Sequence, residues 1–207
     1  MPRYYSLGEI PPKRHTTFEK PTGGLYQEEL FGTAGFVGMS SLLYHLNPPT
    51  VVSEVKKLKS VTPKIAIEKY MKALSFKGFS LKPENDYLDS RKTLFVNNDL
   101  HIGLAAPKEF SSSYFYKNAD ADEMLFVHIG SGTLKTMYGN INFKYGDYLI
   151  IPRGTIYQIN FDTEENRLLY VESFSPIVTP KQYRNNFGQL LEHSPFCERD
   201  FRLPTNL

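Results

Sequence analysis

Sulfur chemistry is nearly missing from this chain: Cys197 is its single cysteine in 207 residues. An internal disulfide is excluded, and a reducing, cytoplasmic compartment is the expectation. A thiol nucleophile would need a basic partner; Cys197 has His193 and Arg199 near it in SPFCERD, but the run reads as a bland thiol in a charged tail. An excess of one charge sign is lacking too. The 24 Lys and Arg are interspersed with 22 Asp and Glu, so no strong field for nucleic acid or an anionic membrane surface is built in. The densest basic run, Lys56, Lys57 and Lys59, has Glu54 beside it and reads as a solvated face. The apolar runs, such as LFV and YLIIP, are far too short to span a bilayer, and MPRYYSLGEIPPKRH has no apolar core of a signal peptide. The chain is therefore expected to be neither secreted by an N-terminal signal nor integral to a membrane. No GxSxG elbow, P-loop or GxGxxG occurs, so nucleophilic, phosphoryl and dinucleotide chemistry have no basis in the sequence.

What is present is aromatic and strand-forming. The 14 Tyr and 15 Phe, with 41% hydrophobic and 22% charged residues, describe a globular protein rich in β structure. Residues 1–60 carry many turn formers, among them Pro11, Pro12, Pro21, Gly23, Gly24, Gly32, Gly35, Gly38, Pro48 and Pro49. They are expected to form an irregular arm whose apolar centre packs on a barrel or on a neighbouring subunit. PKIAIEKYMKAL offers a helix opening at Pro63 with Thr62 as its cap. From Arg91 the period becomes that of strands: KTLFVN, DLHIGLA, EMLFVHI, GTLKTMY, NINFKY, DYLIIP, TIYQINF and RLLYVESF. Tyr138-Gly139-Asn140 and Lys144-Tyr145-Gly146-Asp147 read as hairpin turns, and a short helix is expected to open at Pro180. Eight short strands separated by Gly, Asn and Asp predict a closed or sandwiched antiparallel sheet.

Within these strands Glu123 is followed by Gly130, Gly146, Pro152 and Gly154. This frame resembles the two motifs of cupins, small jelly rolls in which two histidines two apart, a glutamate and a later histidine converge on a metal. The frame is kept while the histidines are not. The positions of the first pair fall within Tyr116, Lys117, Asn118 and Ala119, and the last ligand position is Tyr157, a phenol poorly suited to divalent iron without imidazoles beside it. Glu123 alone cannot hold a metal, and reads as a strand-end carboxylate bonded to backbone or to a nearby cation. His101 and His128 lie in strands as core or surface histidines. His15, His45 and His193 lie in the arm and tail, with no HxH, HxxxH or HxxE spacing among them.

Three longer blocks, SLGEIPPKRHTTF, LYQEELFGTAGFVGMSSLLYHLNPPT and FGQLLEHSPFCERDFRLP, resemble homogentisate 1,2-dioxygenase of the bacterial type, and the resemblance runs through nearly the whole chain. It implies an enzyme that opens the ring of homogentisate with dioxygen to give maleylacetoacetate, in tyrosine and phenylalanine breakdown. Such enzymes hold Fe(II) with two histidines and a glutamate in a C-terminal barrel and assemble as trimers or hexamers. This chain is expected to stop in the connection before that barrel. No catalytic, cofactor-binding or metal-binding residue is therefore assigned to it, and no iron is expected to bind.

The resulting expectation is an all-β, cupin-like jelly roll (double-stranded β-helix) with little helix: arm 1–60, degenerate barrel 61–178, and tail or linker 179–207 toward a missing barrel. Its role would be structure and oligomerisation in a ring-cleaving dioxygenase, inactive alone. Leu30, Phe31, Phe36, Leu42, Leu43 and Tyr44 are the candidates for subunit contact, against packing on their own barrel. The alternative is a non-enzymatic barrel that binds a small aromatic or a protein partner through a mouth lined by Tyr116, Phe126, Tyr148 and Tyr157.

Overall fold

The structure is a computed structural model that describes residues 18–32, 34–38, 40–67, 69–70 and 72–206. The described residues divide into two compact units, residues 18–62 and 63–206.

In the smaller unit, β1 (Gln27–Gly32) and β2 (Ser40–His45) form an antiparallel hairpin, in register from Gln27 opposite His45 to Gly32 opposite Ser40. The turn-rich arm thus contains a hairpin that its sequence does not announce. Glu28 and Glu29 interrupt any alternation in β1, and the connecting loop is glycine-rich. Cross-strand pairing holds the two strands: Leu30 faces Leu42, and Glu29 accepts from the His45 Nε2 at 2.7 Å. The Phe18 ring meets Tyr44 edge-on at 4.6 Å.

The larger unit is a sandwich of two antiparallel sheets. One sheet has the order β3 (Lys92–Val96), β4 (Leu100–Ala105), β11 (Arg167–Ser173), β6 (Asp122–Ile129), β9 (Tyr148–Ile151). The other has the order β5 (Tyr116–Lys117), β10 (Ile156–Phe161), β7 (Gly132–Thr136), β8 (Gly139–Phe143). This is the jelly-roll layout expected, and each of the eight strands read from the sequence is present. Alternation explains the core. Along β6 the side chains of Glu123, Leu125 and Val127 are buried, while Met124, Phe126 and His128 point to the other face. Leu149, Ile151, Leu168 and Tyr170 from the same sheet meet Leu134, Phe143, Tyr157, Ile159 and Phe161 from the other.

The glycines of the motif frame have a conformational reason. Gly130 and Gly146 have φ of 117° and 86°, a region open to glycine at little cost. A Cβ on Gly130 would also lie 2.4 Å from the Asn166 Oδ1. Gly146 closes the β8–β9 turn, where Asp147 accepts from the Lys144 amide at 2.8 Å.

The helix expected from Pro63 does not form: none of the described residues between Pro63 and Leu74 is helical. Ile65, Ile67, Tyr70 and Leu74 are all exposed, so the described residues of this stretch bury no apolar face, and propensity alone does not sustain so short a helix. The turn at Pro180 does form, as a single 3-10 turn over Lys181–Tyr183. Two further 3-10 turns, Gly78–Ser80 and Glu198–Asp200, complete the helical content of the described residues. None of their helices is long and apolar enough to cross a membrane. Cys197 is buried at the head of the last turn, its amide donating to Asp200 at 2.9 Å. The tail then runs beside β8, where Thr205 donates to Asn140 O and Asn140 to Asn206 O, so an edge strand is covered rather than left open.

Candidate functional site

The chemistry of the sandwich lies between its sheets. β6 and β11 are neighbours, and their register sets Glu172 opposite Glu123. Both belong to the inward-facing set of their strands, so two carboxylates confront one another across a ladder, an unfavourable pairing unless a cation intervenes. Arg91, one residue before β3, supplies it. Its Nη1 lies 3.2 Å from Glu123 Oε1 and its Nη2 2.8 Å from Glu172 Oε2. The guanidinium sits 4.1 Å from the centre of the Tyr170 ring, with Tyr87 at 5.6 Å, a cation–π arrangement out of water. The Glu123 side chain is 1% exposed and that of Arg91 13%.

The remaining lone pairs are used as well. Tyr157 Oη donates to Glu123 Oε2 at 2.6 Å, and Asn118 Nδ2 donates to Glu172 Oε1 at 2.9 Å. His101 Nδ1 stands 3.4 Å from Glu172 Oε2, and Tyr170 Oη shares a 2.6 Å hydrogen bond with Thr93. Burial drives the Tyr157 phenol well above its ordinary range, reinforced by the Glu123 charge, so Tyr157 acts as a neutral donor. Burial opposes the charge on Arg91, but Tyr87, Glu172 and Glu123 outweigh it and raise its pKa. For Glu123 the largest influence is again burial, which lifts its carboxyl above the ordinary 4.5 despite Arg91 and Tyr157.

That direction has a measurable consequence. A carboxyl with a raised folded-state pKa binds its proton more tightly in the fold than in the open chain, so its stabilisation is complete below the ordinary value and fades as pH rises through the folded one. Glu123→Gln fixes the neutral form. The stability of Glu123→Gln relative to the unaltered chain is expected to improve from pH 5 to pH 8 in urea unfolding; a constant or falling difference would mean that Glu123 is fully ionised throughout.

The positions where the cupin frame would set its ligands have other duties. Tyr116 meets Tyr157 edge-on at 5.4 Å, Lys117 and Ala119 are exposed, and Asn118 accepts from the Asp120 and Ala121 amides while holding Glu172. His128 lies on the outer sheet face beside Phe79 and Phe126, His45 pairs with Glu29, and His193 is exposed; His15 lies outside the described residues. No cluster of three or more His, Cys, Asp or Glu able to hold a metal occurs among the described residues. The donor chemistry of the interior does not fit Fe(II): one oxygen of Glu123 is held by a guanidinium and the other by a protonated phenol, and a fixed positive charge fills the space between the carboxylates.

The four aromatic residues proposed as one mouth do not share one. Tyr116 and Tyr157 border a cleft of about 20 Å³ together with Tyr87, Tyr114 and Gln158, room for a single water rather than a phenol. Phe126 and Tyr148 meet on the opposite, outer face, their rings tilted by 39° with centroids 4.8 Å apart. The alternation of β6 and β9 separates them. A wider groove of about 420 Å³ lies on that outer face between Phe76, Phe79 and Leu81 and the strand residues Leu104, Phe126 and Leu169. Its cation, Arg167, is already tied to Glu165 and to Leu81 O.

The sequence left Glu123 bonded either to backbone or to a nearby cation; the structure selects the cation, Arg91, and the sequence reading did not include Glu172, Tyr87 or Tyr170. One signal was available: YVESF and DEMLFV each place a glutamate inside an apolar strand, and a charge so placed requires a partner.

Residues 6–202 match the family described as homogentisate 1,2-dioxygenase N-terminal. A protein of Saccharolobus solfataricus, named as a dioxygenase, is 42% identical over 204 residues, 97% of this chain and 52% of its own length; this chain thus spans about half of that relative. Among solved structures, a cupin-2 domain protein of Shewanella frigidimarina is 24% identical, with a TM-score of 0.39 over 46% of this chain and 87% of that one. A protein of unknown function from Streptococcus pyogenes is 18% identical, with a TM-score of 0.40 over 57% and 100%.

Proposed function

The chain belongs to the homogentisate 1,2-dioxygenase N-terminal family, and from that premise we propose that it is the non-metal-binding half of an Fe(II)-dependent enzyme that cleaves the ring of homogentisate in the cytoplasm. Its part is structural: a barrel closed by its own ionic centre, and an arm that joins subunits into a trimer or hexamer. The observation that carries this reading is the Arg91–Glu123–Glu172 cluster, in which the glutamate of the cupin-like frame and the glutamate opposite it are both held by a guanidinium instead of a metal. The ring-cleaving iron would then belong to a further barrel, on the same polypeptide or on a second one. The β1–β2 hairpin, with Leu30 paired to Leu42, is the part of the arm assigned to subunit contact.

The purified 207-residue chain, incubated with Fe(II) and homogentisate in an oxygen electrode, is expected to consume no oxygen above the rate of free iron. Sedimentation velocity of the Leu30→Asp, Leu42→Asp chain is expected to give a smaller species than the unaltered chain. Turnover by this chain alone would refute the reading, and an unchanged sedimentation coefficient would remove the arm from the subunit contact.

A further inference from the structure

The barrel interior is more than a place where charges happen to cancel. Four features converge on one planar cation: a carboxylate oxygen for each terminal nitrogen, Glu123 Oε1 and Glu172 Oε2, an aromatic face 4.1 Å away in Tyr170, and the Tyr87 ring. Each member of the acidic side also has a partner other than the arginine. Glu123 is fixed by Tyr157, Glu172 by Asn118, and Tyr170 by Thr93, and both carboxylates ride on the paired central strands β6 and β11. The arginine, by contrast, comes from the segment that leads into the edge strand β3.

We propose that the interior is a guanidinium-binding site, built by Glu123, Glu172 and Tyr170 and filled by the chain's own Arg91. The geometry selects a planar, multiply donating cation over a spherical ion. The two carboxylate oxygens are spaced for separate N–H donors of one fork, and the ring offers a flat face on which the plane can stack. The site therefore persists when its occupant is removed, and an external guanidinium-type ion can enter it.

The test uses Arg91→Ala and methylguanidinium chloride as the probe. A ligand that binds only the folded state raises stability saturably with its concentration. Methylguanidinium at millimolar, non-denaturing concentration is expected to restore at least half of the unfolding midpoint lost on substitution. Tetramethylammonium chloride, with the same charge and no donor, is expected to restore none of it, and the unaltered chain should respond to neither salt. If Arg91→Ala is unfolded at rest, methylguanidinium is expected to fold it, read by circular dichroism. The variant that also carries Glu123→Gln and Glu172→Gln should show no response. Absence of recovery, equal recovery in both salts, or recovery that survives loss of the two carboxylates would each overturn the assignment.

Discussion

Replacing Arg91 by methionine is expected to lower the stability of the barrel by about 3–5 kcal/mol, the usual penalty for stripping one partner from a buried ionic group. Methionine keeps much of the apolar stem, so the loss measures the charge rather than the volume. What makes the effect large is the pair left behind: Glu123 and Glu172, opposed in register with side chains 1% and 16% exposed. Removing all three charges together, with Arg91→Met, Glu123→Leu and Glu172→Leu, is expected to return most of the loss, because a buried ion pair often exceeds its apolar replacement by little or nothing. Urea unfolding of the two variants gives both numbers. A single variant as stable as the parent would mean that the carboxylates do not depend on the guanidinium.

The second large effect lies on β6, two residues along from Glu123, and has a different origin. Leu125 is 0% exposed, on the inward face of central β6 within the core cluster. Leu125→Ala is expected to cost about 2–5 kcal/mol through lost transfer free energy and the cavity left behind. Unlike the loss at Arg91, this one should not respond to methylguanidinium. Dependence of the Leu125→Ala midpoint on that salt would show that core packing and the charged centre are not separable.

Much of the fold is legible because local signals and burial agree. DYLIIP and TIYQINF alternate, and in the structure Leu149, Ile151, Tyr157 and Ile159 are the buried members. Tyr138-Gly139-Asn140 and Lys144 to Asp147 turn where their glycines take positive φ. Signals fail where tertiary context decides. PKIAIEKYMKAL has helical spacing but no surface on which to pack, and β5 is a strand of two residues, Tyr116–Lys117, made only by pairing with β10. The interior cluster was half visible. The frame around Glu123 and the tyrosine at 157 could be read directly, since a motif is a local pattern. Arg91 could not: SRKTLF looks like an exposed basic entry to an edge strand. Its inward course follows from the register that brings Glu172 opposite Glu123, a relation between strands far apart in sequence.

Iron content tests the central claim most directly. The 207-residue chain, loaded anaerobically with Fe(II), desalted and assayed by plasma mass spectrometry, is expected to retain no stoichiometric iron, and Arg91→Lys, which keeps the interior charge, none either. One iron per chain, retained by the parent and lost in Glu123→Gln, would contradict an interior held by Arg91 and would place a metal where the guanidinium is drawn.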